Sequence, residues 1–293
     1  MTTQLKYSVI DAFTSKPFGG NPAAVIVLEQ DHGLDDETLQ LIGREFSLSE
    51  TAFLVPLADH TVDAPHFSIR WFTPGLEAPL CGHATIAAAY HLQIYHPQLR
   101  APYRFESRVS GQLRVDYDKE KDYYVMDFPA EMPVAFSSSE QADVLKKAYT
   151  WFPSLSADKG EVKAVLRTKR GYFVEVDESV DVANVVHDTI AINRDTVVGQ
   201  CVITAPHTPT PSDPSQVHSR MFAAGSGIDE DPVTGSAHTR IVPYWLERLG
   251  GNTLQCAQVS KRGGELDCEW LRDEGRVLLK GRAVRMAEGV LFV

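Results

Sequence analysis

The sequence has no long hydrophobic run and no paired cysteines. Its longest wholly apolar runs, such as residues 23–28, are far shorter than the roughly 18 residues that a membrane span requires. Residues 1–13 lack the basic flank and apolar core of a secretion signal, so we expect a cytoplasmic protein without membrane contact. The absence of any C-x-x-C pair excludes a zinc ribbon and a disulfide framework. We expect reduced thiols at the four cysteines, Cys81, Cys201, Cys256 and Cys268.

Basic residues and several well-known motifs are also scarce. The chain carries 28 Lys and Arg against 39 Asp and Glu, without a basic cluster, which excludes nucleic acid as a partner. The ten histidines form no H-E-x-x-H or H-x-H, and we expect His207 and His218 to lack a matching carboxylate, so no metal is expected. Residues 225–227, Gly-Ser-Gly, are too short for a phosphate loop, and the absence of G-x-S-x-G argues against an α/β-hydrolase.

A chain of 293 residues with 43% hydrophobic residues can form one large domain or two smaller ones. The stretch DFPAEMP at residues 127–133 carries two prolines that would stop a sheet. We therefore predict a first domain over residues 1–128, joined by a C-terminal strand over about residues 284–293. The second domain is predicted over residues 129–283, with strands that include residues 196–205.

A short internal repeat supports this division. Cys81-Gly82-His83-Ala84 aligns with Thr234-Gly235-Ser236-Ala237, and each stretch opens a largely apolar segment of helical character. The repeat predicts an α+β fold with two pseudo-equivalent domains. Each domain is expected to be an antiparallel β-sheet or barrel wrapped around a central helix.

The start of the first central helix is a candidate binding site. Residues 85–89 are apolar nearly all round, which predicts a buried helix whose first-turn amides need an acceptor. A ligand carboxylate would satisfy them, Gly82 would let it approach, and His83 can donate a hydrogen bond or carry a proton. The same reasoning applies to Gly235, Ser236 and Ala237. The alternative is that Cys81 is a small buried hydrophobe and His83 a capping residue.

Glu50 interrupts an apolar stripe. A strand predicted over residues 46–55 places Glu50 on one face with Ala52 and Leu54, together with Phe46 and Leu48. Burial there would raise the pKa of the Glu50 carboxyl toward neutrality, which suits a general acid or base. A structural ion pair is the alternative.

Two further residues leave more than one interpretation open. Arg70 is an example of a cation that would pair with Glu50 in the structural alternative. Asp231 precedes the second helix start, where it can bind a ligand amine or hydroxyl or merely cap the turn.

These residues together resemble the PhzF family of phenazine-biosynthesis isomerases, which share the diaminopimelate epimerase-like fold. The resemblance implies that Glu50 is the proton-transferring acid/base and that His83, Asp231 and Ser236 hold the substrate in a cleft between the domains, which Asn21 would also line. It implies no cofactor, no metal and a homodimer. The matching stretches are residues 11–25, 48–53, 70–85, 230–238 and 281–291.

The sequence thus predicts a cofactor-independent isomerase that moves a proton on a small carboxylate-bearing substrate. Within the same class, an epimerase would use Cys81 as one of two cysteine bases, but the matching position in the second half holds Thr234. A small-molecule-binding protein without catalysis is the third hypothesis. The sequence does not name the substrate.

Overall fold

The computed structural model describes residues 3–195, 199–223, 225 and 228–293. The chain divides into two units, one of Met1–Asp127 with Leu279–Val293 and one of Phe128–Leu278. Two sequence interpretations touch positions outside the described residues. These are the beginning of the strand predicted over residues 196–205 and the last two positions of the Gly-Ser-Gly segment.

The first unit is built from strands around one long helix, with a second helix outside. Its helices are α1 (Asp36–Phe46) and α2 (Gly82–Tyr95). Its strands are β1 (Gln4–Ala12), β2 (Asn21–Val27), β3 (Glu50–Pro56), β4 (His66–Phe72), β5 (Glu77–Ala78), β6 (Tyr103–Ser107), β7 (Gly111–Asp118), β8 (Tyr123–Pro129) and β18 (Ala283–Phe292).

The strands of this unit form a mixed sheet rather than a purely antiparallel one. The order runs β18, β1, β2, β3, β4, β6, β7 and β8, and β5 pairs with β4. Most neighbours are antiparallel, but β2 with β3 and β4 with β6 are parallel. Parallel neighbours need a crossover connection, and α1 and α2 supply the two crossovers.

Helix α2 is enclosed because it has no polar face to present to water. All seven residues from His83 to Ala89 are buried, and the helix contacts β1, β2, β3, β7 and β18. Each fully buried side chain such as Ile86 or Leu92 contributes about 1.5–3 kcal/mol of hydrophobic stabilisation. The few polar groups on the helix find partners inside the unit, as His91 does where its Nδ1 lies 2.7 Å from Ser8 Oγ. This is the central helix that the sequence predicts.

Helix α1 covers the opposite face of the sheet. It begins after Asp35, whose carboxylate accepts a hydrogen bond from the Thr38 amide at 2.8 Å and so caps the first turn. Its apolar side packs Leu39 and Ile42 into a cluster with Phe53 and Phe72. The sheet of the first unit is therefore buried on both faces, by α2 on one side and by α1 on the other.

The second unit repeats this arrangement. Its helices are α3 (Ser138–Trp151), α4 (Thr189–Asp195) and α5 (Gly235–Leu249), and a 3-10 turn spans Val182–Asn184. Its strands are β9 (Val134–Ala135), β10 (Val162–Thr168), β11 (Gly171–Val176), β12 (Gln200–Pro206), β13 (Val217–Ala223), β14 (Ile228–Asp231), β15 (Thr253–Gln258), β16 (Gly264–Leu271) and β17 (Arg276–Gly281).

The two units share one connectivity. In each, a parallel pair (β2 with β3, β11 with β12) is followed by an antiparallel hairpin and a short strand (β3–β4–β5, β12–β13–β14). A buried helix then leads to a strand parallel to the hairpin's second strand, as α2 leads to β6 and α5 to β15. The predicted α+β duplication is confirmed at the level of topology. The four aligned positions open equivalent helices.

The strand predicted over residues 46–55 is wrong at its beginning. Phe46 ends α1, and Ser47 closes the helix in the left-handed region with φ 52°. Strand β3 begins at Glu50, so Phe46 and Leu48 do not share its face. Burial does not alternate along β3, because the residues on both of its faces are buried from Thr51 to Leu54.

The closest approach of α1 to the sheet generates a stability prediction. A Cβ at Gly43 would lie 2.9 Å from Phe72 Cβ and 3.3 Å from the Phe72 carbonyl oxygen. Alanine gains about 1 kcal/mol of helix propensity over glycine, but overpacking costs about 1–3 kcal/mol. We expect Gly43→Ala to lower the free energy of unfolding by up to about 2 kcal/mol, measured by urea denaturation.

Gly75→Ala is the matched control for this experiment. Gly75 is exposed and has an ordinary φ, and a Cβ added there would have no atom within 4 Å. Its replacement should leave stability unchanged or slightly raised, by up to about 1 kcal/mol. A Gly43→Ala protein as stable as the Gly75→Ala protein would contradict the close packing of α1.

Candidate active site

Glu50 is the first residue of β3 and lies beside Ala23 of β2 in the parallel register. Phe53 packs toward α1, so alternation along the strand directs Glu50 to the other face, which contacts α2. The Glu50 side chain is 12% exposed. The carboxylate is thus largely withdrawn from water, on the face of the sheet that holds the central helix.

The structural alternative for Glu50, an ion pair with Arg70, is wrong. Arg70 makes a two-pronged contact with Glu77, from Nε to Oε1 at 2.8 Å and from Nη2 to Oε2 at 2.7 Å. Its Nη1 also donates to Asp36 Oδ1 at 2.6 Å. Arg70 opposes Phe53 in the register between β3 and β4, so it lies on the outer face of the sheet. Its charge is neutralised there.

The partner of Glu50 is His83. The Nε2 atom of His83 lies 3.0 Å from Oε2 of Glu50, and the imidazole is only 6% exposed. Cys81 Sγ lies 3.4 Å from Nδ1 and 3.9 Å from Nε2 of the same ring. Oε2 of Glu50 accepts no hydrogen bond from the described residues. The Glu50–His83 contact is therefore an ion pair in which the N–H bond of the ring does not point at the carboxylate oxygen. The ring thus contacts both a thiol and a carboxylate.

The pKa values of Cys81 and His83 are both raised, but for different reasons. Burial, helped by the Glu50 charge, raises the pKa of Cys81 to about 11, so Cys81 is a neutral thiol at neutral pH. Burial alone would lower the pKa of His83, but negative charge at Cys81 and Glu50 raises it well above 6.5. Glu50 is therefore one of the two neighbours whose negative charge favours the protonated imidazole of His83.

The start of α2 adds backbone donors to this cluster. Cys81 is the N-cap residue, in extended conformation at φ −142° and ψ 113°, and its side chain makes no capping hydrogen bond. In the described part of the chain, the amides of Gly82 and His83 have no backbone or side-chain acceptor. Together with the positive end of the helix dipole, these amides favour an anion.

Asn21 lies on a neighbouring strand of the same unit. It is the first residue of β2, fully buried, and two positions before the residue that faces Glu50 in the register. The chain enters β2 through Gly20 at φ +63°, where a Cβ would lie 2.2 Å from the Ala12 carbonyl oxygen. Only glycine fits this turn, which fixes where Asn21 begins its strand.

The second unit has an equivalent helix start with different chemistry. Thr234 is the N-cap of α5, extended at φ −116° and ψ 102°, and its hydroxyl donates to Oδ2 of Asp231 rather than to the helix. Gly235 and Ala237 are buried, and Ser236 is partly exposed. The amides of Gly235 and Ser236 likewise have no acceptor among the described residues.

Gln258 holds this second helix start, and the sequence analysis missed it. Its Oε1 accepts from the Thr234 amide at 2.9 Å, and its Nε2 donates to the Asp231 carbonyl at 2.6 Å. Gln258 ends β15 and is fully buried. No sequence signal marks it, because a glutamine at the end of a strand is ordinarily exposed.

Glu50, Cys81 and His83 also have the composition of a metal-binding set. Their donor atoms lie within 4.8 Å of one another. A thiolate, an imidazole and a carboxylate are ligands that Zn²⁺ accepts. The arrangement is therefore compatible both with proton transfer and with inhibition by a soft divalent metal.

A sequence profile of the PhzC-PhzF family, described as phenazine biosynthesis-like protein, matches residues 10–289. The chain belongs to this family. A Pseudomonas aeruginosa protein described as an uncharacterized isomerase is 40% identical over 287 residues, covering 98% of each chain. The mouse (Mus musculus) phenazine biosynthesis-like domain-containing protein 2 is 38% identical over 98% of this chain and 99% of its own.

The structural comparison agrees with this assignment. A PhzF-family phenazine biosynthesis protein from Enterococcus faecalis is 34% identical, with a TM-score of 0.85 over 99% of this chain and 100% of its own. The PhzF resemblance and the diaminopimelate epimerase-like fold predicted from the sequence are confirmed. The relatives that are described as isomerases support an isomerase class for this PhzF-family chain. None of its described helices is long and apolar enough to cross a membrane.

The Glu50–His83 pair predicts the titration of His83. The His83 pKa should lie well above 6.5 in the native protein and should fall in Glu50→Gln, because the carboxylate charge is lost. Histidine side-chain NMR across a pH series measures both values. His91, further along α2, is the internal control, because burial and then the His96 charge lower its pKa to about 4 and Glu50→Gln should leave it there.

The same shift has a consequence for stability. A folded-state pKa above the unfolded value stabilises the native chain fully below about pH 6.5, and this contribution is lost as pH rises through the His83 pKa. The stability difference between the native protein and Glu50→Gln should therefore shrink toward alkaline pH. A His83 pKa that does not respond to Glu50→Gln would contradict the ion pair.

Proposed function

We propose that this PhzF-family chain is a cofactor-independent isomerase that shifts a proton on a small carboxylate-bearing substrate, with Glu50 as general acid/base. One observation carries the proposal: Glu50 and His83, 12% and 6% exposed, meet at 3.0 Å beside the start of a buried helix. A carboxylate in that position can reach a ligand held by the helix amides without competition from bulk water.

The proposed reaction needs only proton transfers. Ionised Glu50 accepts a proton from a substrate carbon, and the electron pair of the broken C–H bond delocalises into the substrate. Protonated Glu50 then returns the proton to a different carbon, so that substrate and product are isomers. Glu50 ends the cycle in its starting state.

His83 has two tasks in this proposal. It holds the Glu50 carboxylate in place before the reaction, through the contact of 3.0 Å between Nε2 and Oε2. It also opposes the negative charge that develops on the substrate, together with the amides of Gly82 and His83. Fixed dipoles of this kind commonly contribute several kcal/mol to transition-state stabilisation, roughly 2.7–4 kcal/mol per donor.

We assign ligand binding to the residues of the second helix start as well. The Thr234 hydroxyl orients the Asp231 carboxylate. Gln258 fixes the backbone of this turn at the Asp231 carbonyl and at the Thr234 amide. Gly235 and Ser236 offer their amides, and Ser236 its hydroxyl, as Gly82 and His83 offer theirs in the first unit. Ala237, whose amide donates to the Thr234 carbonyl at 3.2 Å, is assigned to the same binding surface. Asn21 is assigned to substrate binding as well.

Cys81 fits the epimerase alternative less well. A thiol whose pKa is raised to about 11 is a poor base at neutral pH. The equivalent position at the second helix start is Thr234, whose hydroxyl is already committed to Asp231. A pair of cysteines is absent from these two positions, whereas Glu50 provides a carboxylate base 3.0 Å from the His83 imidazole.

The proposal is tested by hydrogen exchange with solvent. Small carboxylic acids with an acidic C–H are incubated with the protein in D₂O, and loss of the C–H signal is followed by NMR. We expect exchange with the native protein and a loss of about 10²–10⁴-fold in rate with Glu50→Gln, which keeps the shape and removes the base. Glu45→Gln, the same change at an exposed position of α1, is the control and should leave the rate unchanged.

Three other outcomes are informative. Exchange that persists in Glu50→Gln but disappears in Cys81→Ser would favour the cysteine-based epimerase. Binding without exchange by any variant would favour a non-catalytic binding protein. Exchange abolished by a chelator in the native protein would contradict cofactor independence.

The homodimer implied by the resemblance stays a prediction, which sedimentation equilibrium of the full chain measures.

A further inference from the structure

A second cluster of ligating side chains lies far along the sequence from Glu50. His207 directly follows β12, His218 is the second residue of β13, and Asp213 lies in the loop that joins these strands. The expectation that the two histidines lack a matching carboxylate is wrong. Oδ2 of Asp213 lies 2.8 Å from His218 Nε2 and 3.9 Å from His207 Nε2.

Two of the three side chains, His207 and Asp213, are oriented by hydrogen bonds on the side away from the cluster. His207 donates from Nδ1 to the Ser215 carbonyl at 2.8 Å, which leaves the lone pair on Nε2. Oδ1 of Asp213 accepts from the Ser215 amide at 3.0 Å and from the Ser215 hydroxyl at 2.6 Å, which leaves Oδ2 to face the histidines. Metal-bound histidines and carboxylates usually carry such outer hydrogen bonds.

The loop that carries Asp213 is stiff. The Thr210 amide donates to the Asp213 carbonyl at 2.7 Å and the Asp213 amide donates back at 3.2 Å, while the His207 amide donates to the Gln216 carbonyl at 2.8 Å. Four prolines restrict the same stretch, at positions 206, 209, 211 and 214. The three donors are therefore held close together before any ligand arrives, which lowers the entropy lost on binding.

The spacing of the donors suits a small ion. Bonds of about 2.0–2.2 Å to a tetrahedral Zn²⁺ put neighbouring donors roughly 3.3 Å apart. The two Asp213–histidine distances, 2.8 and 3.9 Å, bracket that value. The imidazole rings stack with centroids 3.9 Å apart and planes 16° apart, so one ring must tilt for both Nε2 lone pairs to converge. The side chains are 19–35% exposed, which gives an ion access and leaves room for water ligands.

We propose that His207, Asp213 and His218 bind one divalent transition-metal ion of the Zn²⁺ type through the two Nε2 atoms and Oδ2, with water completing the coordination. Two imidazoles and a carboxylate are ligands for Zn²⁺ and its neighbours rather than for Ca²⁺ or Mg²⁺, which prefer oxygen alone. The ion would tie the end of β12 to the start of β13 across the proline-rich loop. This site is separate in sequence from Glu50, Cys81 and His83, and its role is structural.

Zinc titration of the chelator-treated full chain tests the proposal, with isothermal calorimetry for affinity and thermal unfolding for stabilisation. We expect the native protein to bind Zn²⁺ at this cluster and to unfold at a higher temperature when it does. Asp213→Asn keeps the Ser215 hydrogen bonds but removes the ligand charge, and it should weaken binding by more than Ser215→Ala. Ser215→Ala, which removes only the outer hydroxyl, should weaken binding by about 10–100-fold.

Cobalt distinguishes this cluster from the other possible metal-binding set. Co²⁺ bound by two histidines and an aspartate gives d–d absorption without a thiolate charge-transfer band, whereas Co²⁺ at Cys81 gives that band. We expect the Co²⁺ and Zn²⁺ signals of the loop to survive in Cys81→Ser and to disappear in His207→Gln.

Three results would overturn the proposal. They are no Zn²⁺ binding by the native protein up to millimolar concentration, equal affinity in the native protein and Asp213→Asn, and metal signals that come only from Cys81. The unfolding temperature of each variant without metal is recorded in parallel. A variant that is already destabilised there is replaced by His218→Gln, which changes one ligand on a paired strand.

Discussion

The enclosure of helix α2 is the constraint on which the candidate site depends. A helix that is apolar all round must be surrounded by protein, and here the sheet of the first unit surrounds it. Enclosure also withdraws the first turn of the helix from water, where the amides of Gly82 and His83 have no acceptor among the described residues. The same burial that stabilises the unit therefore creates a place where an anion is favoured and where a carboxylate such as Glu50 is screened from solvent.

Because of the duplication, the chain has two buried helix starts of this kind, and the side chains at the two starts differ in their chemistry. At the first helix start, a thiol, an imidazole and a carboxylate form a cluster, from Cys81, His83 and Glu50. At the second, Thr234, Asp231 and Gln258 form a closed hydrogen-bond network. The first set contains groups that can exchange protons with a ligand, while the second contains groups suited to orienting one. In the proposed function, this difference assigns proton transfer to the first set and ligand binding to the second.

The sequence predicts what depends on local pattern and fails where partners are set by the fold. The buried helices are predictable, because a glycine before a largely apolar stretch of helical character leaves few alternatives. Glu50 is also found, although the strand predicted around it begins too early. Its alternation with Ala52 and Leu54 on one face is the feature that holds in β3. The parallel strand pairs, the contact of Arg70 with Glu77, and the burial of Gln258 depend on which strands become neighbours, which no local pattern records.

Asp213 shows a different limit of motif searches. A search for H-x-H or H-E-x-x-H tests whether ligands share one strand or one helix face, and His207 and His218 fail it because ten residues separate them. Antiparallel pairing of β12 with β13 removes that separation, since Pro206 opposes Val217 and the two histidines flank the same end of the hairpin. The prolines then fold the intervening loop back so that its aspartate meets both rings. A set of ligands that a hairpin brings together can be recognised only once the register of its strands is known. The number of residues between two such ligands gives the length of the hairpin loop and not the geometry of the site.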